Sequence, residues 1–165
     1  MPHVTRPTLH HTSMPSRVFL VAQWLERVPY WLLAIPLRLA VATIFWNSAM
    51  VKLANWDAAL DLFRDEYRLP LLPPEIAAYL AVSIELSMPV LLVLGLGTRT
   101  AALVLLGMTS AIEIFVYPLA WPTHLQWAAM LLVLLCRGAG QLSLDHLISR
   151  RWSRSIPSGE SRTGP

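Results

Sequence analysis

The chain lacks the cysteine pairs and histidine clusters that support redox and metal chemistry. Its 165 residues include a single cysteine, Cys136, so an internal dithiol is excluded, and with it self-contained thiol redox chemistry. No apolar stretch carries a pair of histidines suited to haem, and no Cys/His cluster has the spacing of a zinc site. We therefore expect the chain to carry no cofactor and no metal site of its own.

Charge is also scarce, and long apolar runs take its place. Only 14% of the residues are charged, 55% are hydrophobic, and the mean hydropathy is +0.51. A helix needs about 20 apolar residues to cross a bilayer core of about 30 Å. The sequence contains four apolar stretches, and the fourth approaches this length only when the uncharged residues before it are included. The stretches are Tyr30–Leu53, Ile76–Leu96, Ala101–Leu119 and His124–Cys136. Alternation with a period of two is absent, which excludes a barrel. The sequence predicts an all-α fold, a polytopic four-helix bundle in a membrane.

The basic residues indicate an orientation in the membrane rather than a nucleic-acid partner. With both termini in the cytoplasm, nine arginines lie on the inner side and three basic residues on the outer side, as the positive-inside rule requires. The inner group is Arg6, Arg17, Arg27, Arg99, Arg137, Arg150, Arg151, Arg154 and Arg162, and the outer group is Lys52, Arg64 and Arg68. We therefore predict a multi-pass protein with cytoplasmic N- and C-termini.

The segments around the spans divide into four regions. We expect residues 1–15 and 153–165 to be disordered tails, and residues 16–28 to form an amphipathic helix at the membrane interface. The transmembrane domain covers residues 29–152. Within it, Asn55–Tyr67 is predicted to form a second amphipathic helix on the outer surface, with an apolar stripe formed by Trp56, Ala59, Leu60 and Phe63.

Several motifs together resemble the DoxX family. They are LRLA at Leu37–Ala40, FWNSAMVKL at Phe45–Leu53, AAYL followed by Ile84 and Glu85, GLGTRT at Gly95–Thr100, and the closing GxGxxSLD at Gly138–Asp145. The resemblance spans about residues 37–146. Residues 56–74 and 117–124 are most similar to members encoded in bufferin-type operons.

The resemblance implies a fold, a location and two kinds of function. Members of this family are small four-helix proteins of the bacterial inner (plasma) membrane. Some resemble subunits of thiosulfate:quinone oxidoreductases, and others associate with redox or detoxification complexes. The bufferin-type members are implicated in copper stress.

Ionisable residues inside the predicted spans are the candidate functional groups. Arg38, Glu85 and Glu113 each cost about 2.5–3.5 kcal/mol at a helix centre, so pairing, protonation or a polar cavity is expected. Glu85 shares a helix face with small residues, and Pro89 leaves the carbonyl of Glu85 without its helical partner. The alternative is a structural role, in which Arg38 snorkels and the glutamates join helices.

A polar pocket is predicted at the outer side of the bundle. Asn47 and Lys52 lie about 140° apart around the first helix, so only one of them can face it. Glu85 is expected beneath the pocket, which could bind a quinone head group, a proton or a soft metal. The other lining residues are Glu113, Tyr117 and His124. For His124 alone, a satisfied interfacial histidine is the simpler interpretation.

Two classes of function follow. The first is an accessory membrane subunit of a redox or metal-stress detoxification system, with copper as one candidate metal, that is not catalytic on its own. The second is an oxidoreductase subunit that interacts with quinone. The lack of a protein-borne redox centre favours the first. Besides the lipid bilayer, a soluble or membrane redox partner and a homo-oligomer are both left open.

Overall fold

A computed structural model describes residues 23–67 and 72–145, and these ranges contain helices and turns without a strand. The long helices are α1 (Tyr30–Ala54), α3 (Pro74–Leu94), α4 (Thr98–Phe115) and α5 (Trp121–Arg137). Between α1 and α3 lie the short helix α2 (Trp56–Asp61) and a π-helical turn (Leu62–Tyr67).

The four long helices pack side by side as a bundle. Helix α1 packs against α3 and α5, and α4 packs against the same two helices. Buried residues of all four form the core, among them Phe45, Leu92, Leu105 and Leu131. We call the two ends of the bundle the α2 end, where α1 and α4 end, and the Gly95 end, where α3 and α5 end.

Three helices are long and apolar enough to cross a membrane, namely α1, α3 and α4. Helix α5, the fourth predicted span, is a helix of 17 residues and falls just below that length. Large apolar side chains are exposed along the helices, as with Val51 at 73% and Ile114 at 66%. An apolar exterior of this kind suits contact with lipid, so the all-α membrane fold is confirmed, whereas four spans are not.

The predicted boundaries differ most at the third stretch. It was expected to run to Leu119, but α4 ends at Phe115 and the chain turns at once. The turn is closed by the Tyr117 amide, which donates to the Ile112 carbonyl over 2.9 Å. Pro118 cannot donate a helical hydrogen bond, so a helix cannot continue regularly through it.

The predicted amphipathic helix at Asn55–Tyr67 is helical in the structure. The Asn55 side chain caps α2 by accepting from the Ala58 amide over 3.2 Å. Phe63 is 2% exposed and packs against Ala77, Ala78 and Ala81 of α3, with Trp56 and Leu60 beside it. The segment therefore covers the start of α3.

The predicted flanking regions fall largely outside the described residues. This applies to both tails, 1–15 and 153–165, to the last residues of the 29–152 domain, and to most of the 16–28 helix, of which residues 23–26 are helical.

The Gly95 end is closed by contacts between distant segments. Gly95 ends α3 in the left-handed region, at φ 67°, and its carbonyl accepts from the Asp145 amide over 3.1 Å. The Asp145 carboxylate accepts from the amides of Gly97 and Thr98 over 2.8 and 3.3 Å, which satisfies the first turn of α4. The chain after α5 thus folds back onto the α3–α4 turn.

Candidate acid–base site at the α2 end

A buried ion pair joins α1 and α3. The Lys52 ammonium lies 2.8 and 2.9 Å from the two carboxylate oxygens of Glu85 and donates to Ser48 Oγ over 2.7 Å. Ser48 Oγ in turn donates to Glu85 Oε1 over 3.0 Å. The side chains of Lys52 and Glu85 are 9% and 2% exposed. In an apolar bundle this geometry matters, because each charge alone would carry a large desolvation cost.

The sequence builds this pair from simple helix periodicity. Ser48 and Lys52 are four residues apart on α1 and therefore share a face. On α3, Ala78, Ala81 and Glu85 are all buried, as their shared face predicted. Small residues let helices approach closely, which brings Glu85 within reach of α1.

A second acid–base pair joins α4 and α5. Glu113 Oε2 lies 2.5 Å from His124 Nδ1, a short hydrogen bond between side chains that are 25% and 8% exposed. The pair borders a mostly apolar cleft of about 310 Å³ between the two helices, which Trp121 and Ile114 also line. Because Nδ1 faces Glu113, the other ring nitrogen of His124 is left for a different partner.

Aromatic rings connect the second pair to α1. The rings of His124 and Trp127 are 5.1 Å apart, and Trp127 meets Phe45 edge-on at 5.9 Å. Phe45 lies one turn before Ser48 on α1. The packed aromatic contacts therefore run from one polar pair towards the helix that carries the other.

Two tyrosines and an acid cover the same end of the bundle. Tyr117 donates its hydroxyl hydrogen to Glu66 over 2.6 Å, and its ring meets that of Tyr67 at 6.2 Å. Burial, with smaller contributions from Tyr117, Glu85 and Glu66, raises the pKa of Tyr67 to about 12. The hydrogen bond to Glu66 also raises the pKa of Tyr117. Both phenols are therefore neutral hydrogen-bonding groups at physiological pH.

The structure divides the predicted pocket residues into separate groups. Lys52 pairs with Glu85, Glu113 pairs with His124, and Tyr117 binds Glu66. These groups lie towards the α2 end, and the Glu85 carboxylate forms its ion pair with Lys52.

Two candidate residues, Asn47 and Arg38, lie outside these groups. The Asn47 side chain is exposed, because Lys52 occupies the buried face of α1. Arg38 is buried as expected, but at the Gly95 end, where it donates to the carbonyls of Ala139 and Leu142 over 3.3 and 3.2 Å. The Arg38 guanidinium thus satisfies two backbone carbonyls of the chain that follows α5.

Three residues of this end escaped the sequence analysis. Ser48 could have been found from its position one turn before Lys52. Glu66 and Tyr67 lie in a segment interpreted only as an amphipathic cover, and no local pattern connects them with Tyr117. Among residues 23–67 and 72–145, no group of three or more His, Cys, Asp or Glu side chains is placed to hold a metal ion.

Comparison with known proteins gives a family and one relative of interest. A family model described as DoxX matches residues 33–118. A protein of Haemophilus influenzae, described as "Uncharacterized protein", is 33% identical over 129 residues, which cover 69% of this chain and 82% of that protein. No solved structure matches the chain.

Proposed function

The chain belongs to the DoxX family, and on that basis we propose that it is a membrane accessory subunit of a redox or metal-stress detoxification system. Copper is one candidate metal for that system. In this proposal the chain does not catalyse a reaction alone, and its contribution lies in the acid–base groups at the α2 end.

The observation that carries the proposal is the Glu113–His124 pair beside the apolar cleft. A carboxylate that orients an imidazole fixes which nitrogen carries the proton, so His124 can accept or donate one at its other nitrogen. Ionisable side chains are costly inside a membrane, so a pair of them between two membrane helices indicates a functional site. The Lys52–Glu85 pair adds a second polar centre between neighbouring helices.

A second candidate function is a quinone-interacting oxidoreductase subunit, similar to that of a thiosulfate:quinone oxidoreductase. The specific support is the lining of the cleft, where apolar residues such as Ile114 and Leu125 adjoin His124. A quinone offers an apolar ring and tail with carbonyl oxygens, so its head could take a hydrogen bond from the second ring nitrogen of His124 in the imidazolium form, in which both ring nitrogens are donors. Electrons would come from a partner protein, since the sequence predicts no redox centre carried by the chain itself.

The proposed setting is the bacterial inner membrane with both termini in the cytoplasm. The α2 end then faces the outer side, and the Gly95 end, with Arg99 and Arg137, faces the cytoplasm. The distribution of basic residues in the sequence supports this orientation. In this setting, the polar pairs would serve a partner or solute on the outer side.

Growth and copurification together test the accessory role. A deletion strain should be more sensitive than its parent to copper or to reactive sulfur compounds, and the plasmid-borne gene should restore growth. The tagged chain, extracted in mild detergent, should bring down a redox or metal-handling protein identified by mass spectrometry. Equal growth of both strains under all these stresses would contradict the proposal.

Quinone binding distinguishes the second candidate. Extracts of the purified protein should contain quinone above the level in matched membranes, and the His124→Ala variant should lose it. The Glu75→Gln variant is the matched control, because Glu75 pairs with Arg64 on the exposed surface. Quinone retained equally by all three proteins would indicate carry-over with lipid and exclude a site at His124.

A further inference from the structure

A second cleft lies at the Gly95 end, away from both acid–base pairs. It has a volume of about 690 Å³ and is bounded by the start of α1, the α3–α4 turn and the chain that follows α5. Its charged side chains are Arg99, Arg137 and Asp145. Nothing in the proposed function uses this cleft.

The charges around the cleft leave an excess of positive charge. The Asp145 carboxylate is engaged by the Gly97 and Thr98 amides, so it holds the α4 turn. Neither Arg99 nor Arg137 has a carboxylate partner within residues 23–67 and 72–145. Both guanidiniums are in exposed residues and can therefore meet a ligand.

Within residues 23–67 and 72–145, the two arginines make only weak contacts, which leave most of their N–H donors free. Arg99 donates to the Cys136 carbonyl over 3.4 Å, and the Arg137 guanidinium lies 5.4 Å from the centre of the Tyr30 ring. Tyr30 itself donates to the Gly138 carbonyl over 2.9 Å. A planar guanidinium with free N–H groups can bind a phosphate group through two parallel N–H···O hydrogen bonds.

The floor of the cleft is built to keep this shape. A Cβ on Gly140 would lie 3.1 Å from the Trp31 backbone, so the chain after α5 passes closely over the start of α1. Arg38 fixes the same chain from below through the carbonyls of Ala139 and Leu142. Arg38 is therefore a positioning residue for the cleft.

The depth of the cleft in the bilayer suggests the source of its ligand. Tyr30 and Trp31 start the first membrane-spanning helix, and such aromatic residues typically lie at the level of the lipid head groups. Basic clefts between helices at this level bind anionic head groups. We propose that the Gly95-end cleft binds a phosphate group through Arg99 and Arg137, of the kind that anionic membrane lipids carry.

Native mass spectrometry of the delipidated full-length chain tests this site. Added phosphatidylglycerol should bind in preference to phosphatidylcholine, and the R99Q/R137Q variant should lose at least about tenfold in apparent affinity, equivalent to 1.4 kcal/mol. Arg64→Gln is the control, because it removes an exposed charge at the opposite end of the bundle. Equal losses in both variants, or none in R99Q/R137Q, would overturn the proposal.

Two further arms identify the source of the phosphate and guard against a misfolded variant. Glycerol 3-phosphate is titrated into the protein in phosphatidylcholine nanodiscs; binding that needs both arginines supports the site with a soluble ester as its ligand. In the wild-type chain, a photoactivatable phosphatidylglycerol should crosslink to peptides containing residues 29–31, 97–100 or 137–141. Crosslinks confined to other peptides, with no binding of glycerol 3-phosphate, would overturn the proposal even if the variant fails to fold.

Discussion

At the residue scale, the protein shows how a membrane bundle tolerates full charges. Lys52 and Glu85 neutralise each other at 2.8 Å, and Ser48 satisfies a remaining donor and acceptor. The sequence identified Glu85 as costly inside a span and showed that Asn47 and Lys52 could not both face the predicted pocket. It could not say that Lys52 would face inward, because that depends on how α1 is rotated against α3.

Removing one partner of this pair should destabilise the bundle strongly. We expect Lys52→Met or Glu85→Leu to lower the free energy of unfolding by about 3–5 kcal/mol, because each leaves a buried charge without its partner. The double variant K52M/E85L should be more stable than either single variant. The measurement is unfolding in mixed detergent micelles followed by circular dichroism. A double variant as unstable as the sum of the singles would contradict the pairing.

Tyr67 and Tyr117, which cover the α2 end of the bundle, should ionise at a higher pH than ordinary tyrosines. Burial raises the pKa of Tyr67 to about 12 from an ordinary value of 10.0, and bonding to Glu66 raises that of Tyr117. Because the folded protein favours the neutral Tyr67 phenol, the contribution of this side chain to stability is complete below pH 10 and is lost as the pH rises towards 12. Ultraviolet titration of the wild type against Tyr67→Phe isolates the Tyr67 phenolate, which should form near pH 12. Ionisation of Tyr67 near pH 10 would mean that its side chain is exposed to water rather than buried at the α2 end.

The Glu66 contact has its own signature. We expect Glu66→Gln to move the Tyr117 pKa down towards its ordinary value, because the variant lacks the carboxylate that accepts the hydrogen bond of the Tyr117 hydroxyl and repels its phenolate form. The difference titration between Glu66→Gln and Glu66→Gln/Tyr117→Phe measures that pKa. An unchanged value would place Glu66 away from Tyr117.

At the element scale, the turns and caps depend on contacts that local patterns do not reveal. Gly95 and Gly138 directly follow the ends of α3 and α5, and both have positive φ. The Asp145 carboxylate, which lies in the segment after α5, caps α4, 47 residues earlier in the chain for Thr98. Sequence spacing can predict a cap within a turn, but it cannot locate a carboxylate that arrives from a distant segment.

The turn between α3 and α4 offers a matched pair of glycine substitutions. A Cβ on Gly95 would lie 2.4 Å from Arg38 Nη1 and 2.7 Å from Ser143 Cβ, whereas a Cβ on Gly97 would meet nothing within 4 Å. Both glycines have positive φ, so alanine strains each backbone by about 1–2 kcal/mol. Gly95→Ala should lower the free energy of unfolding by about a further 1–3 kcal/mol, because the Arg38 guanidinium must move. Equal thermal shifts for Gly95→Ala and Gly97→Ala would show that Arg38 is not packed there.

At the scale of the whole molecule, composition was enough to predict a helical membrane protein. Helices α1, α3 and α4 lie where three of the four apolar stretches were predicted, and the fourth stretch is helix α5. Composition could not group the polar residues, because the groupings depend on helix rotation and on the cover folding over the α2 end. That is why one predicted pocket became two separate pairs with a tyrosine cover.

Accessibility from the two sides of the membrane tests the proposed orientation. In a Cys136→Ser background, Asp57→Cys should react with an impermeant maleimide in intact spheroplasts, because α2 is expected on the outer side. Gln141→Cys should react only in inverted vesicles. Both positions are exposed in the structure. The opposite pattern would place the acid–base pairs on the cytoplasmic side.

We propose that the Glu113–His124 pair serves the function of the protein rather than its folding. The most direct measurement is complementation of the deletion strain, under the stress to which it is sensitive, by Glu113→Gln and His124→Ala, with Glu75→Gln as the control. We predict that both pair variants accumulate in the membrane like the wild type but fail to restore growth, while Glu75→Gln restores it. Full growth with both pair variants at normal levels would contradict the claim and leave the pair as ordinary helix packing.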